Sequence, residues 1–304
     1  MLLNDIYKKI ARALYVLKEI NPESLCNMLR IAFKRNLILH TKRGSTILIN
    51  SIESIKALPM LLDLEKNYGK IDINISQDEK IHVKFCSYEF RLDFYPKGIV
   101  ALWETFFRKI YDIPISPDGI IIDVGAFIGD TCVFFVKEKK AKKVIALEPS
   151  SYLFRILKEN IRLNEIVDNC ILLNAALGAN RGIRDFYYNL SHPGSSSLFT
   201  APSRKYIKEY VNVITLDQLI LDLDIDIVDL LKMDCEGCEY EIFFYFLRNK
   251  KILEKIRWIV MEVHKLSSKK ANLLKKMINK LGLRIMRILN LGKNEAIYYI
   301  LCYD

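Results

Sequence analysis

The stretch that most limits what this chain can become runs from Gly119 to Pro149, GIIIDVGAFIGDTCVFFVKEKKAKKVIALEP. Within about thirty residues it holds an apolar run, a glycine-bearing turn, an apolar helix, and a second apolar run ended by an acid and a proline. A strand, tight turn, helix and parallel strand produce that order when a ligand sits over the strand ends. Ile120–Val124 shows no alternation, so it is expected as a strand covered on both faces. Gly125 and Gly129 would let the backbone approach a ligand that a Cβ would push away. Their G-x-x-x-G spacing is not the dinucleotide fingerprint G-x-G-x-x-G.

The charges around the turn select among ligands. Asp123 precedes the first glycine and Asp130 opens the helix, so a pyrophosphate here would face carboxylates. Two like charges about 4 Å apart repel by roughly 4 kcal/mol at an effective dielectric of about 20. A cation fits better. S-adenosylmethionine carries an ammonium and a sulfonium, and its ribose needs an acceptor such as Glu148, followed by Pro149, at the end of the next strand. The competing reading is a strand, turn and helix without ligand, in which Asp130 and Thr131 only cap the helix.

At 304 residues the chain exceeds one typical domain. A smaller α+β region over 1–95 and a large α/β domain over 96–304 are expected. Hydrophobic residues make up 51%, enough for a substantial core. The net charge of +10 attracts anions, but the lysines are scattered. Their densest cluster, Lys137–Lys143, reads as a solvated helix end, and no nucleic-acid partner is expected. Seven cysteines in a scattered set do not form a disulfide framework, which favours a reducing cytoplasm. Cys235 and Cys238 form a C-x-x-C, but the acids in DCEGCEYE argue against redox or zinc chemistry, and no metal site is expected. No apolar run is long enough to span a bilayer, and no leader or anchor is expected at the N-terminus.

The first third reads as helices over 1–20 and 22–33, a hairpin of Leu37–His40 and Thr46–Ile49, and a helix over Ser51–Leu64. A small meander over 71–94 and an aromatic-rich helix, Gly98–Ile113, follow. His40 and His82 read as ordinary strand residues. Beyond Glu148, a capped helix with Leu153, Leu157 and Ile161 inward leads to a third strand, Cys170–Ala176. Asn174, Ala175 and Ala176 at its end are candidates for the adenine pocket. A polar loop follows, whose Ser195, Ser196 and Ser197 could hydrogen-bond a polyhydroxylated acceptor. The strand Asp229–Met233 runs into Asp234-Cys235-Glu236-Gly237, the strand-tip position for cofactor-orienting or catalytic carboxylates. Glu239 and Glu241 read as first-turn acids favoured by the helix dipole. The strand Trp258–Val263 leads to His264, a candidate base. A helix capped by Ser268 and a terminal hairpin, Leu283–Leu289 with Ala296–Cys302, complete the chain.

Taken together, DVGAFIGDT, ALEPSSYLFRILKENIRLN, NAALG, SSSL, VITLDQL and LLKMDCEGCEYEI resemble the FkbM-like family of S-adenosylmethionine-dependent methyltransferases over about residues 95–264. The resemblance implies a seven-stranded Rossmann-like sheet, doubly wound, with the last strand antiparallel. It implies methyl transfer to a hydroxyl on a sugar, glycan or natural-product-like acceptor. Asp123, Gly125 and Gly129, with Ala126, Phe127, Asp130 and Thr131 around them, would then hold the methionine side of the cofactor, and Glu148 the ribose. Asp234, Glu236 and Gly237 would stand near the reacting end, with Glu236 or His264 as base. Phe127 departs from the family, where many relatives carry Asn, and Cys238 stands where Ala is frequent. A nucleotide-cofactor oxidoreductase of the NAD type and a non-catalytic S-adenosylmethionine-binding protein are the alternatives.

Overall fold

The isoleucine-rich run 120–124 forms a strand because both of its faces meet apolar neighbours, and the large sheet grows outward from it. The computed structural model describes residues 15–21, 37–116, 118–188, 206–264, 267–291 and 295–302. The helix expected over 22–33, most of the one over 1–20, and Ser195–Ser197 lie outside them. The chain divides into two compact units, 1–109 and 110–304. That division falls beyond the expected 95/96 boundary, so the aromatic helix belongs to the first unit.

The first unit carries a five-stranded sheet in the order β1 (Leu37–His40), β2 (Thr46–Ile49), β3 (Ile71–Ile75), β4 (Ile81–Phe85) and β5 (Tyr88–Arg91). Helix α1 (Ile52–Tyr68) is capped by Ser51 and buries Leu58, Leu61, Leu62 and Leu64. Its Glu65 is buried but accepts from the hydroxyls of Thr41 and Ser45, which compensates its lost solvation. The expected long helix is instead a short α2 (Gly98–Leu102) continued by a π-helical turn, Trp103–Phe107. Phe106 packs edge-on against Tyr68, Phe85 and Phe90.

The second unit is built on a seven-stranded sheet of order β14-β15-β13-β12-β6-β7-β8. The central strands are β6 (Ile120–Val124), β7 (Lys143–Leu147), β8 (Cys170–Leu173), β12 (Val228–Met233) and β13 (Ile256–Val263), all parallel. β15 (Ala296–Leu301) lies antiparallel to both β13 and β14 (Arg284–Asn290), which is the expected reversed last strand. The sheet is the Rossmann-like one that the resemblance implied. Every residue of β12 and β15 is buried, as expected for strands covered on both sides.

Helix α3 (Asp130–Val133, continued by a π-helical segment) joins β6 to β7, and α4 (Ser151–Leu163) joins β7 to β8. α4 is capped by Ser150 and buries Leu153, Leu157 and Ile161. The expected third strand is broken in two. After β8 the chain leaves the large sheet, and β9 (Ala176–Leu177) joins a separate three-stranded sheet with β10 (Gly182–Tyr188) and β11 (Ile207–Ile214). Helix α5 (Leu216–Asp222) returns the chain to β12, and α6 (Cys238–Arg248) to β13. α7 (Ser268–Leu281) is capped by Ser267 rather than Ser268 and ends at left-handed Gly282. Among the described residues no helix is long and apolar enough to cross a membrane.

Two glycines of this unit separate steric from conformational demand. Both Gly125 and Gly282 have positive φ, but a Cβ on Gly125 would lie 1.9 Å from the Asp234 carbonyl oxygen, whereas one on Gly282 meets nothing within 4 Å. Gly125→Ala is therefore expected to destabilise the fold by about 3 kcal/mol or more, and Gly282→Ala by about 1 kcal/mol, in urea unfolding.

Candidate active site

Backbone hydrogen bonds suspend the first turn from the neighbouring strand. The amides of Gly125 and Ala126 both donate to the Leu147 carbonyl at 3.0 Å. The Phe127 amide donates to Glu148 Oε2 at 3.0 Å, and the Ser150 amide to Oε1 at 2.9 Å. Phe127 has a φ of 50°, in the left-handed region that suits Gly or Asn rather than an aromatic residue. Asn174 donates to the carbonyls of Glu148 and Pro149 at 2.8 and 2.9 Å. Its amide is therefore spent on fixing the chain after β7. Ala175 and Ala176 are buried, with Ala176 paired to Val213 of β11.

The turn, Glu148-Pro149 and Asn174 thus gather at the carboxyl ends of β6, β7 and β8. The two glycines have neighbours of their own. A Cβ on Gly129 would lie 2.6 Å from Leu157 Cδ1, so this glycine admits α4, just as Gly125 admits the Asp234 backbone.

Beneath the turn lies a buried ion pair. The parallel register sets Lys232 opposite Asp123. The Lys232 Nζ lies 2.9 Å from Asp123 Oδ1 and donates to the Gly125 carbonyl at 2.8 Å. Thr131 donates its hydroxyl to Asp123 Oδ2, so it does more than cap a helix. Nζ also sits 5.1 Å from the centre of the Tyr111 ring, within cation–π range. Burial alone would lower the lysine's pKa, but Asp123 and Asp234 outweigh it and hold the amine above its usual value.

At the carboxyl ends of β12 and β13, four carboxylates surround one imidazole. His264 Nε2 lies 3.7 Å from Asp234 Oδ1, 3.6 Å from Glu236 Oε1 and 3.5 Å from Glu262 Oε1. Its Nδ1 is 3.4 Å from Glu239 Oε1. The Tyr111 hydroxyl is shared between Asp234 Oδ2 at 2.9 Å and Glu262 Oε2 at 3.3 Å. Burial lowers the pKa of His264, but the hydrogen bond to Glu239 and the charges of Asp234 and Glu236 overcome it and raise it to about 10. The ring is an imidazolium at neutral pH. Asp234, Glu262 and His264 also place one ligand atom each within 4.8 Å of one another, a spacing open to a metal ion that the sequence did not suggest.

Asp234, Glu236 and His264 are legible in the sequence, whereas Lys232, Tyr111 and Glu262 carry no assigned role there. A lysine inside the apolar run DLLKMD was the available signal, since an unpaired ammonium has no place in a covered strand. Glu239 and Glu241 lie in the first turn of α6, as expected, but Glu239 is also fully buried against His264 and Glu241 pairs with Arg184 at 2.9 Å. The C-x-x-C differs from expectation, because Cys235 and Cys238 are joined by a disulfide. The left-handed Glu236 and the positive-φ Gly237 turn the chain into α6 and bring the two Cα atoms to 5.5 Å, within bridging range.

Burial pushes the Glu148 carboxyl up to about 8, against the opposing pull of the Ser150 and Phe127 amides. Unfolded, the same acid ionises at its ordinary value of 4.5. The folded state therefore holds the proton more tightly, and stability is drained as pH rises between those two values. Without cofactor, the wild type should lose about 4 kcal/mol of stability relative to Glu148→Gln between pH 4.5 and pH 8 in urea unfolding, whatever constant offset the lost amide acceptor gives the variant.

A family model described as the methyltransferase FkbM domain matches residues 123–293. Among curated relatives, Methyltransferase sdnD of Sordaria araneosa is 26% identical over 168 residues, 46% of this chain and 65% of that protein. Methyltransferase 1 of Beauveria bassiana is 23% identical over 158 residues, 46% of this chain and 63% of that protein. The chain thus spans under two thirds of the length of these relatives. Among solved structures, the human methyltransferase 10 domain containing protein aligns over 83% of this chain and 97% of its own, with 14% identity and a TM-score of 0.44. TrmK of M. capricolum, in complex with S-adenosyl-homocysteine, aligns over 64% and 66%, with 11% identity and a TM-score of 0.39. The matched model covers more than half of the chain and takes in the glycine turn, Glu148, the acid-rich loop and His264: the protein belongs to the FkbM family of methyltransferases, and S-adenosylmethionine is its cofactor.

Proposed function

We propose that the chain methylates a hydroxyl oxygen of a small-molecule or glycan acceptor. The observation that carries this reading is the position of His264, enclosed by Asp234, Glu236, Glu239 and Glu262 at the ends of β12 and β13, next to the Gly125 turn. S-adenosylmethionine, when bound, supplies a methyl group on a cationic sulfonium. The donor set fits such a cation. Asp130, Asp234 and Glu236 add negative charge near the turn, and Lys232 is already engaged by Asp123. Glu148, fixed by two backbone amides, is the residue to meet a ribose hydroxyl.

On the acceptor side, Asp234 and Glu236 accept a hydrogen bond from the hydroxyl and orient its lone pair. Positioning of this kind supplies much of the acceleration in a two-reactant displacement. The hydroxyl proton must leave as its oxygen is alkylated, and His264 is the group assigned to take it. As an imidazolium it cannot do so, but a cation bound beside the same carboxylates offsets the charge that raised its pKa and returns it toward neutrality. We place the protein in the cytoplasm, with no nucleic-acid partner.

Glu148→Ala should weaken S-adenosylmethionine binding at least about tenfold in calorimetry, and unchanged affinity would remove Glu148 from the site. With labelled cofactor and a panel of hydroxylated small molecules and glycans, the wild type should transfer label to oxygen; tight binding without transfer to any of them would favour the non-catalytic alternative. His264→Gln should reduce turnover by about 100-fold while leaving cofactor affinity unchanged. The wild-type rate should climb with pH above neutrality as the imidazolium loses its proton, and this slope should disappear in the variant.

A further inference from the structure

The C-x-x-C is not explained by the methyl transfer just described. We propose that Cys235 and Cys238 are a reversible thiol–disulfide site, reduced by small dithiols and oxidised by disulfides of the glutathione type, that fixes the loop between β12 and α6. The two sulfurs are bonded in the structure, and only Glu236 and Gly237 lie between them. Among the described residues, the free cysteines Cys86, Cys132, Cys170 and Cys302 take no part in it.

The placement of the pair gives the exchange a direction. Cys235 is partly exposed, whereas Cys238 is 1% exposed and occupies the first position of α6. A reductant thiolate attacks Cys235 Sγ, the bond to Cys238 breaks, and the Cys238 thiolate departs into the amide-rich end of the helix. The reductant's second thiolate then attacks its own sulfur in the mixed disulfide and releases Cys235. One dithiol becomes a disulfide, two electrons pass to the protein, and the two protons of the dithiol finish on the cysteines. Two equivalents of reduced glutathione are released when its disulfide drives the reverse reaction.

The loop closed by this bond carries a carboxylate of the candidate active site. Glu236 has a φ of 54° and Gly237 one of 124°, so the ring holds a side-chain-bearing residue in a conformation that such residues avoid. In that conformation Glu236 Oε1 stands 3.6 Å from His264 Nε2. Cys235 Sγ lies 3.6 Å from Glu239 Oε1, the oxygen that faces His264 Nδ1. Opening the ring frees Glu236 to relax to negative φ and leave His264. Asp123 and Glu148 are held by other contacts and stay in place. The consequence for turnover rests on the reading of this loop as the acceptor side; the thiol chemistry does not.

The experiment equilibrates the full chain with dithiothreitol or with oxidised glutathione, quenches by alkylation, and maps the labels by mass spectrometry. In parallel, hydrogen exchange is followed in the peptide containing residues 234–241. Cys235 and Cys238 should convert together, and exchange in that peptide should be about fivefold faster in the reduced form. Calorimetric affinity for S-adenosylmethionine should fall by no more than about threefold on reduction, because Glu236 is one of several carboxylates near the turn and Asp130, Asp234 and Glu148 keep their places. A pair that neither reagent alters, or exchange that is equal in the two states, overturns the proposal. Cofactor affinity that follows the redox state tenfold overturns the assignment to this loop. Cys235→Ser with Cys238→Ser should exchange at the reduced rate in both buffers; if that variant fails to fold, the wild-type titration decides. Absence of methyl transfer to every hydroxyl tested would leave these results standing and count only against the acceptor reading.

Discussion

The pairing of Lys232 with Asp123 is the constraint on which the second unit depends. It joins β12 to β6 near the point where both strands end, and the ammonium's hydrogen bond to the Gly125 carbonyl fixes the start of the turn. A buried ion pair gives little net stability over an apolar pair, yet removing one partner leaves an uncompensated charge costing about 3–5 kcal/mol. Its value here is specification. A one-residue slip between β12 and β6 would turn the ammonium to the opposite face of the sheet and strand both charges in the core, so the register that forms the turn is the only one the interior accepts.

From that pair the site separates into two electrostatic regimes. Below the turn, charge is cancelled internally: Asp123 by Lys232, and Glu148 by keeping its proton to about pH 8. At the ends of β12 and β13 charge is concentrated, with four carboxylates around a single imidazolium. An excess of negative charge held off from bulk water attracts a cation and resists an anion. This asymmetry is the physical counterpart of family membership, because it suits a sulfonium donor and disfavours the pyrophosphate of a dinucleotide.

The elements themselves were legible where pattern is local. Ile120–Val124, the cap at Ser150 and the reversed terminal strand all follow from runs, caps and turns that neighbouring residues display. The carboxylates at the strand tips were legible too, since position along a parallel strand says which edge a residue reaches. What escaped was non-local. Lys232 and Asp123 are more than a hundred residues apart in the chain, and nothing near either announces the other. Glu239 is the first-turn acid that its place in the sequence implies, but only the packing of α6 beside β13 reveals that it is buried. Gly125 and Gly129 were read as places where a Cβ would push away a ligand, whereas the groups a Cβ would meet are the Asp234 carbonyl and Leu157 of the protein itself.

Helix α6 links the candidate active site to a part of the fold remote from it in sequence. Its first turn contributes Cys238 and Glu239, and on the same turn Glu241 accepts from both the Arg184 guanidinium of β10 and the Ala179 amide. The small three-stranded sheet is thus a buttress for the helix rather than an ornament on the surface. On the function proposed above, substitutions along β10 that break the Arg184 contact would reach the acceptor side through α6, so selectivity for one acceptor or another need not be written in the residues that meet it.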